Sequence, residues 1–436
     1  MRYLVVGAAR SGVAAANFLV ARGEEVALYD AKPDPDLPYE LAGAVVRMFG
    51  REGEALLDGV DTIVLSPGVP MSAPLLQTAV AQAIPVISEI ELGFRHLKGT
   101  VIAITGTNGK STTTALIGEI LRVAGRDPIV AGNIGEPLTA SLDLDEPRTY
   151  VLELSSFQLE TVDQFHASVA LLLNITPDHL DRYADIDAYA AAKHRVFRNQ
   201  ESSDVAIVNA NDRRSSPGRS KARVWRFSSS ESVETGAFID GEDLVMRIEG
   251  AESRIARSLL RLEGQANVEN ALAAWLAARA VGIDDEHVKL AFDTFTGLPH
   301  RMVLVRELDG VRWINDSKGT NVDATFKSLQ GFPPASVVLI LGGKDKAGEF
   351  EQLRPLVQQR VRAVVTIGSA SERIASALAG AAEIVPAGDM ASAIRWARTN
   401  ATAGDTVLLS PACASFDQYR NFEHRGQHFE ELVRSL

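Results

Sequence analysis

The sequence predicts an α/β protein of three domains, each with a mainly parallel sheet and helices on both of its faces. Short apolar segments recur along the chain and alternate with helical patterns, which is typical of parallel strands joined by crossover helices. Several apolar segments run directly into glycine-rich turns, as strands do where a sheet binds a nucleotide. The chain has 436 residues, and a domain size of about 100–200 residues predicts two or three domains.

Composition and charge exclude several classes of protein. Hydrophobic residues make up 46% of the chain and charged residues 23%, which is ordinary for a globular protein and excludes a disordered or fibrous one. The formal net charge of −12 argues against a protein that coats nucleic acid. The single cysteine, Cys413, excludes an internal disulfide, fits a reducing compartment and is expected to pack as a small apolar residue.

The sequence shows neither a membrane span nor a signal peptide. No apolar run reaches the ~18 residues of a spanning helix. Arg10 and Arg22 interrupt the N-terminal apolar segment, which a signal peptide would need as an uncharged stretch. A cytoplasmic protein that is not integral to the membrane is therefore expected.

Residues 1–93 are predicted to form a Rossmann-like domain. A glycine-rich turn at 7–12 follows the first apolar strand, and the second strand ends at Asp30. The turn resembles a dinucleotide fingerprint with Asp30 near the place of the ribose-binding acid, but Ala9 stands where the middle glycine is expected. A negatively charged nucleotide is expected at this helix N-terminus, with Ala9 counting against NAD and a purely structural turn as the alternative.

Residues 94–296 are predicted to form a central domain like that of the P-loop ATPases. An apolar strand ending near Ile104 enters the loop 106–111, and a helical pattern follows. Such a loop points backbone N–H groups at phosphate oxygens, while Lys110 reaches the β- and γ-phosphates and Ser111 supplies a ligand for Mg²⁺. The Walker A pattern is partial, because Ile104 occupies the position of its first glycine.

Acidic and histidine side chains follow other strands of this domain. Glu153 closes one apolar strand, and Asp178 and His179 follow the next. Because strand carboxyl ends face the ligand crevice, Glu153 is predicted to bind Mg²⁺ or a water on it, with Asp178 or His179 on the same rim. The helical pattern around Lys193 indicates a solvated helix lysine. Residues 214–257 predict a small antiparallel addition to the sheet.

Residues 297–436 are predicted to form a second Rossmann-like domain, since apolar strands again run into turns of small residues. Arg301 can bind a phosphate through two parallel hydrogen bonds, and Asp316 can accept from a ribose hydroxyl or pair with Arg301. Lys318 and Thr320 can bind a phosphate or a carboxylate. Surface ion pairing is the alternative for each of these residues taken singly.

Taken together, these motifs resemble the Mur ligases, which build the peptide of peptidoglycan precursors. The resemblance covers essentially the whole chain, and its specific segments are 66–68, 105–112, 132–135, 153–159, 178–183, 298–301, 315–318 and 410–418. It is closest to the members that join D-glutamate to UDP-N-acetylmuramoyl-L-alanine. It implies that ATP phosphorylates the substrate carboxylate, that the amine of glutamate attacks the acyl phosphate, and that a tetrahedral intermediate collapses to the amide, ADP and phosphate.

The resemblance also implies roles for individual residues. The implied catalytic residues are Lys110, Glu153, His179 and Lys193. The implied ATP contacts are Gly106, Thr107, Asn108, Gly109, Lys110, Ser111, Thr112, Asn267, Asn270, Arg301 and Asp316. The implied contacts of the UDP-sugar are Arg10, Ser11, Asp30, Ser66, Gly68, Asn133 and His179. The implied contacts of glutamate are Lys318, Thr320, Lys346, Ser415 and Phe422.

Two Mg²⁺ ions are implied as well. Their implied ligands are Ser111, Glu153, His179 and a Lys193 that CO₂ or bicarbonate has carbamylated. Carbamylation would turn a cation into an anionic metal ligand, whereas the unmodified lysine would repel the ions. For Lys193 the resemblance thus reverses the expectation drawn from the helical pattern.

Several alternatives share parts of this pattern. A folylpolyglutamate synthase would lack the N-terminal domain, and a sister ligase for diaminopimelate or lysine usually carries an Asp-Asn-Pro-Arg signature, which this sequence does not contain. A ligase for L-glutamate stays open, because stereochemistry depends on a few contacts. An NAD-dependent oxidoreductase would leave Lys110 unexplained, and a non-catalytic regulator would not need Glu153, His179 and Lys193. The expected partners are small-molecule substrates rather than nucleic acid, and a monomer is expected.

Overall fold

A computed structural model of the chain describes residues 1–179, 182–262, 264–345 and 348–436. The chain folds into two compact units. One unit comprises Met1–Ile175, Asp187–Leu259 and Asn270–Thr294, and the other comprises Thr176–Ile186, Leu260–Glu269 and Phe295–Leu436. The first two sheets of the chain lie in the first unit, and the third sheet lies in the second.

The first sheet is the Rossmann-like sheet that the N-terminal sequence predicts. Its strands are β1 (Arg2–Val6), β2 (Glu25–Asp30), β3 (Val46–Phe49), β4 (Thr62–Leu65) and β5 (Val86–Ser88), and its helices are α1 (Arg10–Ala21), α2 (Pro74–Ala81) and α3 (Glu89–Phe94). The strands are parallel in the order β3-β2-β1-β4-β5. Both faces of the sheet are buried, because Val5 packs in one apolar core while Leu4 and Val6 pack in the other.

The second sheet forms the middle of the chain. Its strands are β6 (Gly99–Thr105), β7 (Ile129–Gly132), β8 (Arg148–Glu153), β9 (Val169–Leu172), β10 (Val205–Asn209), β11 (Arg223–Ser228), β12 (Gly236–Asp240), β13 (Asp243–Ile248) and β14 (Ala251–Ala256). The helices of this part of the chain are α4 (Lys110–Val123), α5 (Leu138–Ser141), α6 (Ser156–Leu159), α7 (Ile186–His194), α8 (Gln265–Ala280) and α9 (Asp285–Thr294).

The strands of this sheet follow the order β14-β13-β12-β11-β10-β9-β6-β8-β7. The predicted antiparallel addition is confirmed for β12, β13 and β14, whereas β11 pairs parallel with β10 and extends the parallel part. Strand β6 lies between β9 and β8, so the chain passes to opposite sides of β6 as it continues. Ligands of α/β sheets bind beside such a central strand, outside the carboxyl ends.

The third sheet belongs to the second unit. Its strands are β15 (Val303–Leu308), β16 (Val311–Asn315), β17 (Val337–Gly342), β18 (Val361–Ile367), β19 (Glu383–Gly388) and β20 (Thr406–Leu409). Its helices are α10 (Val322–Leu329), α11 (Arg354–Arg360), α12 (Ser371–Ala377), α13 (Met390–Asn400) and α14 (Phe422–Arg434). The order is β15-β16-β20-β17-β18-β19, with β15 and β16 antiparallel. Apolar cores cover both faces, and Cys413 is buried in one of them, as expected.

Short 3-10 helices complete the secondary structure at Glu54–Leu57, Arg195–Phe197, Arg213–Ser215, Arg257–Leu259 and Phe350–Leu353. Within the described part of the chain, no helix has both the length and the apolar character that crossing a bilayer requires.

A buried carboxyl group lies at the start of α3. Glu89 is 1% exposed, and its Oε1 accepts hydrogen bonds from the N–H and the hydroxyl of Thr139 at 2.6 and 2.7 Å. Its Oε2 has no hydrogen-bond partner among the described residues. Burial raises the pKa of Glu89 to about 7, because the ionised form loses its hydration there.

We expect Glu89→Gln to make the stability of the protein less dependent on pH. The carboxyl of Glu89 has an ordinary pKa of 4.5 and a pKa of about 7 in the folded protein, so the folded state binds the proton more tightly. This contribution to stability is complete below about pH 4.5 and is lost as the pH rises through about 7. The shift corresponds to about 3 kcal/mol of unfolding free energy, which the glutamine variant should retain at alkaline pH.

Denaturant unfolding of both proteins at about pH 5 and about pH 8 measures this difference. Glu54→Gln, at an exposed position of the same domain, controls for the loss of a glutamate in general. A Glu89→Gln variant that loses stability with pH as steeply as the wild type would contradict the assignment.

Candidate active site

The carboxyl ends of β6, β7, β8 and β9 form one edge of the second sheet. Glu153, the last residue of β8, pairs in register with Ile104 and Gly132 on the neighbouring strands. On the other side of β6, Thr105 pairs with Leu172. The sheet register therefore brings Glu153 beside the start of the predicted phosphate loop, as expected for an acid at a strand end.

The phosphate loop, residues 106–111, requires glycine at position 109, directly before α4. Gly109 has a φ of +87° and precedes α4, whose first residue is Lys110. A Cβ at Gly109 would lie 2.3 Å from Asn270 Oδ1, which also accepts a hydrogen bond from the Thr113 hydroxyl at 3.2 Å. Gly109 is thus required both by its backbone conformation and by the close approach of α8.

Asn174 holds the loop from the neighbouring strand end. Its backbone carbonyl accepts from the Thr107 N–H at 2.8 Å. Its side chain accepts from the Asn108 N–H at 2.9 Å and donates to the Asn108 carbonyl at 3.0 Å. Asn174 was not predicted from the sequence, although its position directly after β9 is the signal that could have found it.

The side chain of Lys110 lies against the first residues of the phosphate loop. Its Nζ donates to the carbonyl oxygens of Gly106 and Thr107 at 2.9 and 2.8 Å. Ser111 and Thr112 continue the first turn of α4 and are each 5% exposed. A cation and the N-terminus of a helix therefore meet at one loop, which is a favourable place for phosphate groups.

Lys193 is buried, so the solvated lysine expected from the helical pattern is wrong. The side chain is 1% exposed, and Nζ donates to the Gly106 carbonyl at 2.8 Å. Nζ also lies 4.5 Å from the ring centroid of Tyr189, whose hydroxyl is 3.3 Å from Thr107 Oγ1. The helical pattern missed this burial because the covering residues come from the phosphate loop, far away in sequence. Tyr189, one turn before Lys193, was also not predicted.

Glu153 has a carboxylate oxygen that suits a metal ion. The side chain is 1% exposed, and its Oε1 accepts from Asn133 Nδ2 at 2.8 Å. Its Oε2 is buried without a hydrogen-bond partner among the described residues. No group of three His, Cys, Asp or Glu side chains in the described ranges is arranged to hold a metal. Mg²⁺ at nucleotide sites typically takes only one or two carboxylates, with phosphate oxygens and water completing its shell.

Two polar side chains form hydrogen bonds with the glycine-rich turn at residues 7–12 of the first sheet. Asp30 accepts from the Ala8 N–H through Oδ2 at 2.8 Å and from the Lys32 N–H through Oδ1 at 3.0 Å. The Ser66 hydroxyl donates to the Gly7 carbonyl at 2.8 Å. The structure thus brings Asp30 and Ser66, two predicted UDP-sugar contacts, to the glycine-rich turn that precedes α1.

Arg10 and Asn133, two further predicted UDP-sugar contacts, bond to protein groups. Arg10 donates to the Tyr39 hydroxyl at 3.0 Å, to the Gly135 carbonyl at 2.7 Å and to Glu136 at 3.1 Å. Asn133 bonds to Glu153, as described above. Ser11 is half-buried in the first turn of α1, and Gly68 is exposed after β4.

In the second unit, Asp178 and His179 border a cavity of about 160 Å³. His179 has a φ of +56°, and its N–H donates to Asp178 Oδ1 at 3.0 Å. Asn321 Nδ2 donates to Asp178 Oδ2 at 2.9 Å. The lining residues are Thr176, Pro177, Asp178, His179, Asn321, Val322, Asp323, Gly348, Glu349, Gln352 and Ala412.

Asp316 is held by hydroxyl groups near Arg301. It is 6% exposed, and its Oδ2 accepts from the hydroxyls of Ser328 and Ser410, each at 2.7 Å. Burial raises the pKa of Asp316 to about 6, although the positive charge of Arg301 opposes this rise. His300 and Met302, which flank Arg301, both have positive φ values of 62° and 52°. Such strained backbone is concentrated at functional sites.

The described residues among the predicted glutamate contacts lie on the loops after β16 and β20 and at the start of α14. Lys318 Nζ lies 3.8 Å from the ring centroid of Phe422, the first residue of α14. Ser415 is 2% exposed, and Thr320 is half-buried with its N–H bonded to the Lys318 carbonyl. Lys346 lies outside the described residues. Asn267, which is a predicted ATP contact, is half-buried in the first turn of α8.

We expect Gly109→Ala to lower the free energy of unfolding by about 1–3 kcal/mol, because alanine is strained at this φ and its Cβ would collide with Asn270. Gly125→Ala is the matched control, since Gly125 also has a positive φ of 71° but no atom lies within 4 Å of the point that a Cβ would occupy. Denaturant unfolding of both variants separates the collision from the backbone strain. An equal loss in the two variants would contradict the proposed contact with Asn270.

Family models match consecutive parts of the chain. They are described as the Mur ligase MurD-like N-terminal domain, over residues 1–88, the Mur ligase middle domain, over residues 104–278, and the Mur ligase glutamate ligase domain, over residues 300–413. The chain is 43% identical to the UDP-N-acetylmuramoylalanine--D-glutamate ligase of Koribacter versatilis, a match covering 100% of this chain and 97% of the relative. It is 44% identical to the protein of the same name from Syntrophus aciditrophicus, covering 100% and 98%.

Solved structures with the same fold are more distant in sequence. A pseudomurein peptide ligase type C from Methanothermus fervidus aligns with a TM-score of 0.62 at 20% identity, covering 100% of this chain and 99% of the other. The UDP-N-acetylmuramate-alanine ligase of Thermotoga maritima aligns with a TM-score of 0.62 at 18% identity, with the same coverage. These alignments confirm the three-domain α/β fold class predicted from the sequence.

Proposed function

Because the chain belongs to the Mur ligase family, we propose that it is an ATP-dependent ligase that joins D-glutamate to UDP-N-acetylmuramoyl-L-alanine in peptidoglycan precursor synthesis. The observation that carries this function is the identity of 43–44% over the full chain to relatives named for this reaction. The site geometry supports it, since a phosphate loop, a buried acid and a buried lysine meet at one sheet edge. Such chemistry needs positioning and charge neutralisation rather than a protein nucleophile.

The reaction proceeds in two displacements. The carboxylate oxygen of the alanyl residue attacks the γ-phosphorus of ATP, and the β–γ bridging oxygen leaves with ADP. The amine nitrogen of D-glutamate then attacks the acyl carbon of the acyl phosphate. The tetrahedral intermediate expels phosphate, and the nitrogen loses a proton to give the amide.

The phosphate loop is assigned to ATP. The backbone N–H groups at the start of α4 would face the phosphates, and Lys110 would exchange its two carbonyl partners for the β- and γ-phosphates. Its positive charge then offsets the charge that builds up on the transferring group. Asn267 and Asn270 on α8 are assigned to the adenine side, and Arg301 and Asp316 complete the ATP contacts.

The donor groups of the central sheet suit Mg²⁺. Ser111 and Glu153 are assigned to one ion, on the strength of the buried Glu153 oxygen that has no hydrogen-bond partner among the described residues. His179 and a carbamylated Lys193 are assigned to a second ion. Carbamylation leaves one N–H on Nζ, so the bond from Lys193 to the Gly106 carbonyl can persist. When bound, Mg²⁺ neutralises phosphate charge and orients the transferring group.

The substrate contacts are assigned to separate parts of the chain. Residues 1–93 would bind the UDP-sugar, residues 94–296 ATP, and residues 297–436 the amino acid together with part of ATP. The UDP-sugar contacts are Arg10, Ser11, Asp30, Ser66, Gly68, Asn133 and His179, and the glutamate contacts are Lys318, Thr320, Lys346, Ser415 and Phe422. We also propose that the protein acts in the cytoplasm as a monomer.

Phosphate release from ATP tests this function directly. The assay contains UDP-N-acetylmuramoyl-L-alanine and Mg²⁺, with D-glutamate, L-glutamate or no amino acid in parallel. We expect release that depends on D-glutamate. Release with L-glutamate alone would overturn the stereochemical assignment, and no release with either amino acid would favour a sister ligase.

A further inference from the structure

Arg425 is a buried cation on the inner face of α14. Its side chain is 1% exposed. Phe429 and Val433 follow it at four-residue intervals, and both are buried, so Arg425 occupies a position of the helix that otherwise holds apolar residues. Burying a charge is unfavourable unless it is paired or used.

Within the described part of the chain, the guanidinium of Arg425 bonds only to uncharged acceptors. Its Nε donates to Ser317 Oγ at 3.0 Å, and its Nη2 donates to the Ser317 carbonyl at 2.8 Å. Its Nη1 donates to the carbonyls of Cys413 and Ala414 at 3.1 and 3.4 Å. No carboxylate among the described residues forms an ion pair with it. Burial lowers the pKa of Arg425 to about 10, although the negative charges of Asp417 and Asp316 oppose this fall from beyond ion-pair distance, so the group is still protonated at neutral pH.

Loops that follow β16, β20 and β17 meet at this guanidinium. Ser317 belongs to the first loop, and Cys413 and Ala414 belong to the second. At Gly343 in the third loop, a Cβ would lie 2.2 Å from the Ala414 carbonyl oxygen and 3.1 Å from Arg425 Nη1, so only glycine fits. The proposed glutamate contacts Lys318, Thr320 and Ser415 follow these contact points within a few residues, and Phe422 begins α14.

We propose that Arg425 is a positioning residue of the amino-acid subsite, and that its positive charge, which no carboxylate of the described residues pairs, selects an amino acid with a second carboxylate over the corresponding amide. The inference rests on the proposed function. The planar guanidinium group holds the loops after β16 and β20 in one arrangement, because its N–H donors point in fixed directions. The charge acts through the weakly polarisable interior of the unit, where it is screened less than in water.

The test compares D-glutamate with D-glutamine as substrates of Arg425→Gln and Arg425→Lys. Glutamine removes the positive charge, whereas lysine keeps the charge and loses the planar set of guanidinium donors. We expect Arg425→Gln to lower the ratio of kcat/KM for D-glutamate over D-glutamine by about tenfold or more, mainly through KM for D-glutamate. Arg425→Lys should keep this ratio within about threefold of the wild type while lowering kcat for both substrates.

A second variant and a control accompany the test. If Arg425→Gln loses its cooperative thermal unfolding, Ser317→Asp is measured instead. Its carboxylate lies beside the guanidinium and neutralises the charge of Arg425, so we expect the same fall in the ratio. Arg306→Gln is the control, since Arg306 also donates to carbonyls, those of Val433 and Arg434 at the far end of α14. The control should leave the ratio unchanged.

The outcomes distinguish the inference from the function on which it rests. An unchanged ratio in the charge-removing variants, or an equal fall in Arg425→Lys and Arg425→Gln, would overturn selection by charge. A wild-type protein that shows no activity with D-glutamate would instead refute the proposed function. The selectivity ratio would not respond to a role in folding alone.

Discussion

Replacing Lys110 with alanine is expected to lower kcat for ligation by about a thousandfold, because the transferring phosphoryl group loses its main protein cation. Lys110 Nζ lies 2.8 and 2.9 Å from two carbonyl oxygens of the loop assigned to ATP, so it needs only a small movement to meet a phosphate. Initial rates of phosphate release at saturating substrates measure kcat, and titration calorimetry measures ATP binding.

Lys98→Ala is the matched control for this prediction. Lys98 precedes the same strand, lies away from the phosphate loop at the strand's opposite end and donates to the Leu144 carbonyl at 2.9 Å. Its loss should leave kcat unchanged, and the thermal unfolding of both variants should resemble that of the wild type. A kcat of Lys110→Ala within about tenfold of the wild type would show that Lys110 does not act in phosphoryl transfer.

Glu153→Gln is expected to lower kcat by about a thousandfold and to raise the Mg²⁺ concentration needed for activity. The amide keeps an oxygen that can accept from Asn133, so the hydrogen bond at 2.8 Å can persist while the charge is lost. In the absence of ligands the variant should be at least as stable as the wild type, because a neutral amide is buried more easily than a carboxylate.

The stability measurement separates a metal role from a structural one. A Glu153→Gln protein that is less stable without Mg²⁺ would mean that the carboxylate mainly supports the fold. Glu119→Gln is the control on the same unit, since Glu119 pairs with Arg122 at the surface of α4 and should not alter the Mg²⁺ dependence. An unchanged Mg²⁺ dependence in Glu153→Gln would exclude Glu153 as a ligand.

Much of the scaffold could be predicted from local patterns. The strand expected to end near Ile104 is β6 (Gly99–Thr105), and the helix expected after the phosphate loop is α4 (Lys110–Val123). The phosphate loop was predictable because its glycine, lysine and serine are contiguous and follow a strand. Glu153 was predictable because it directly ends an apolar strand.

Contacts between distant segments were not predictable in this way. Asn133 lies on Glu153 because β7 and β8 pair in register, which the sequence of either strand does not specify. Asn174 reaches Asn108 because β9 and β6 are neighbours in the sheet. Arg425 could have been noticed as a cation on an apolar helical stripe, but its partners lie on loops after β16 and β20.

By itself, the sequence determined the α/β class, the phosphate loop and the family, because these depend on short-range periodicity and on contiguous motifs in a set order. Only the tertiary structure decided that Lys193 is buried against the Gly106 carbonyl. It also decided that, among the described residues, one Glu153 oxygen has no hydrogen-bond partner and no carboxylate pairs with Arg425. Burial and charge compensation arise where segments far apart in sequence meet, so no local pattern contains them.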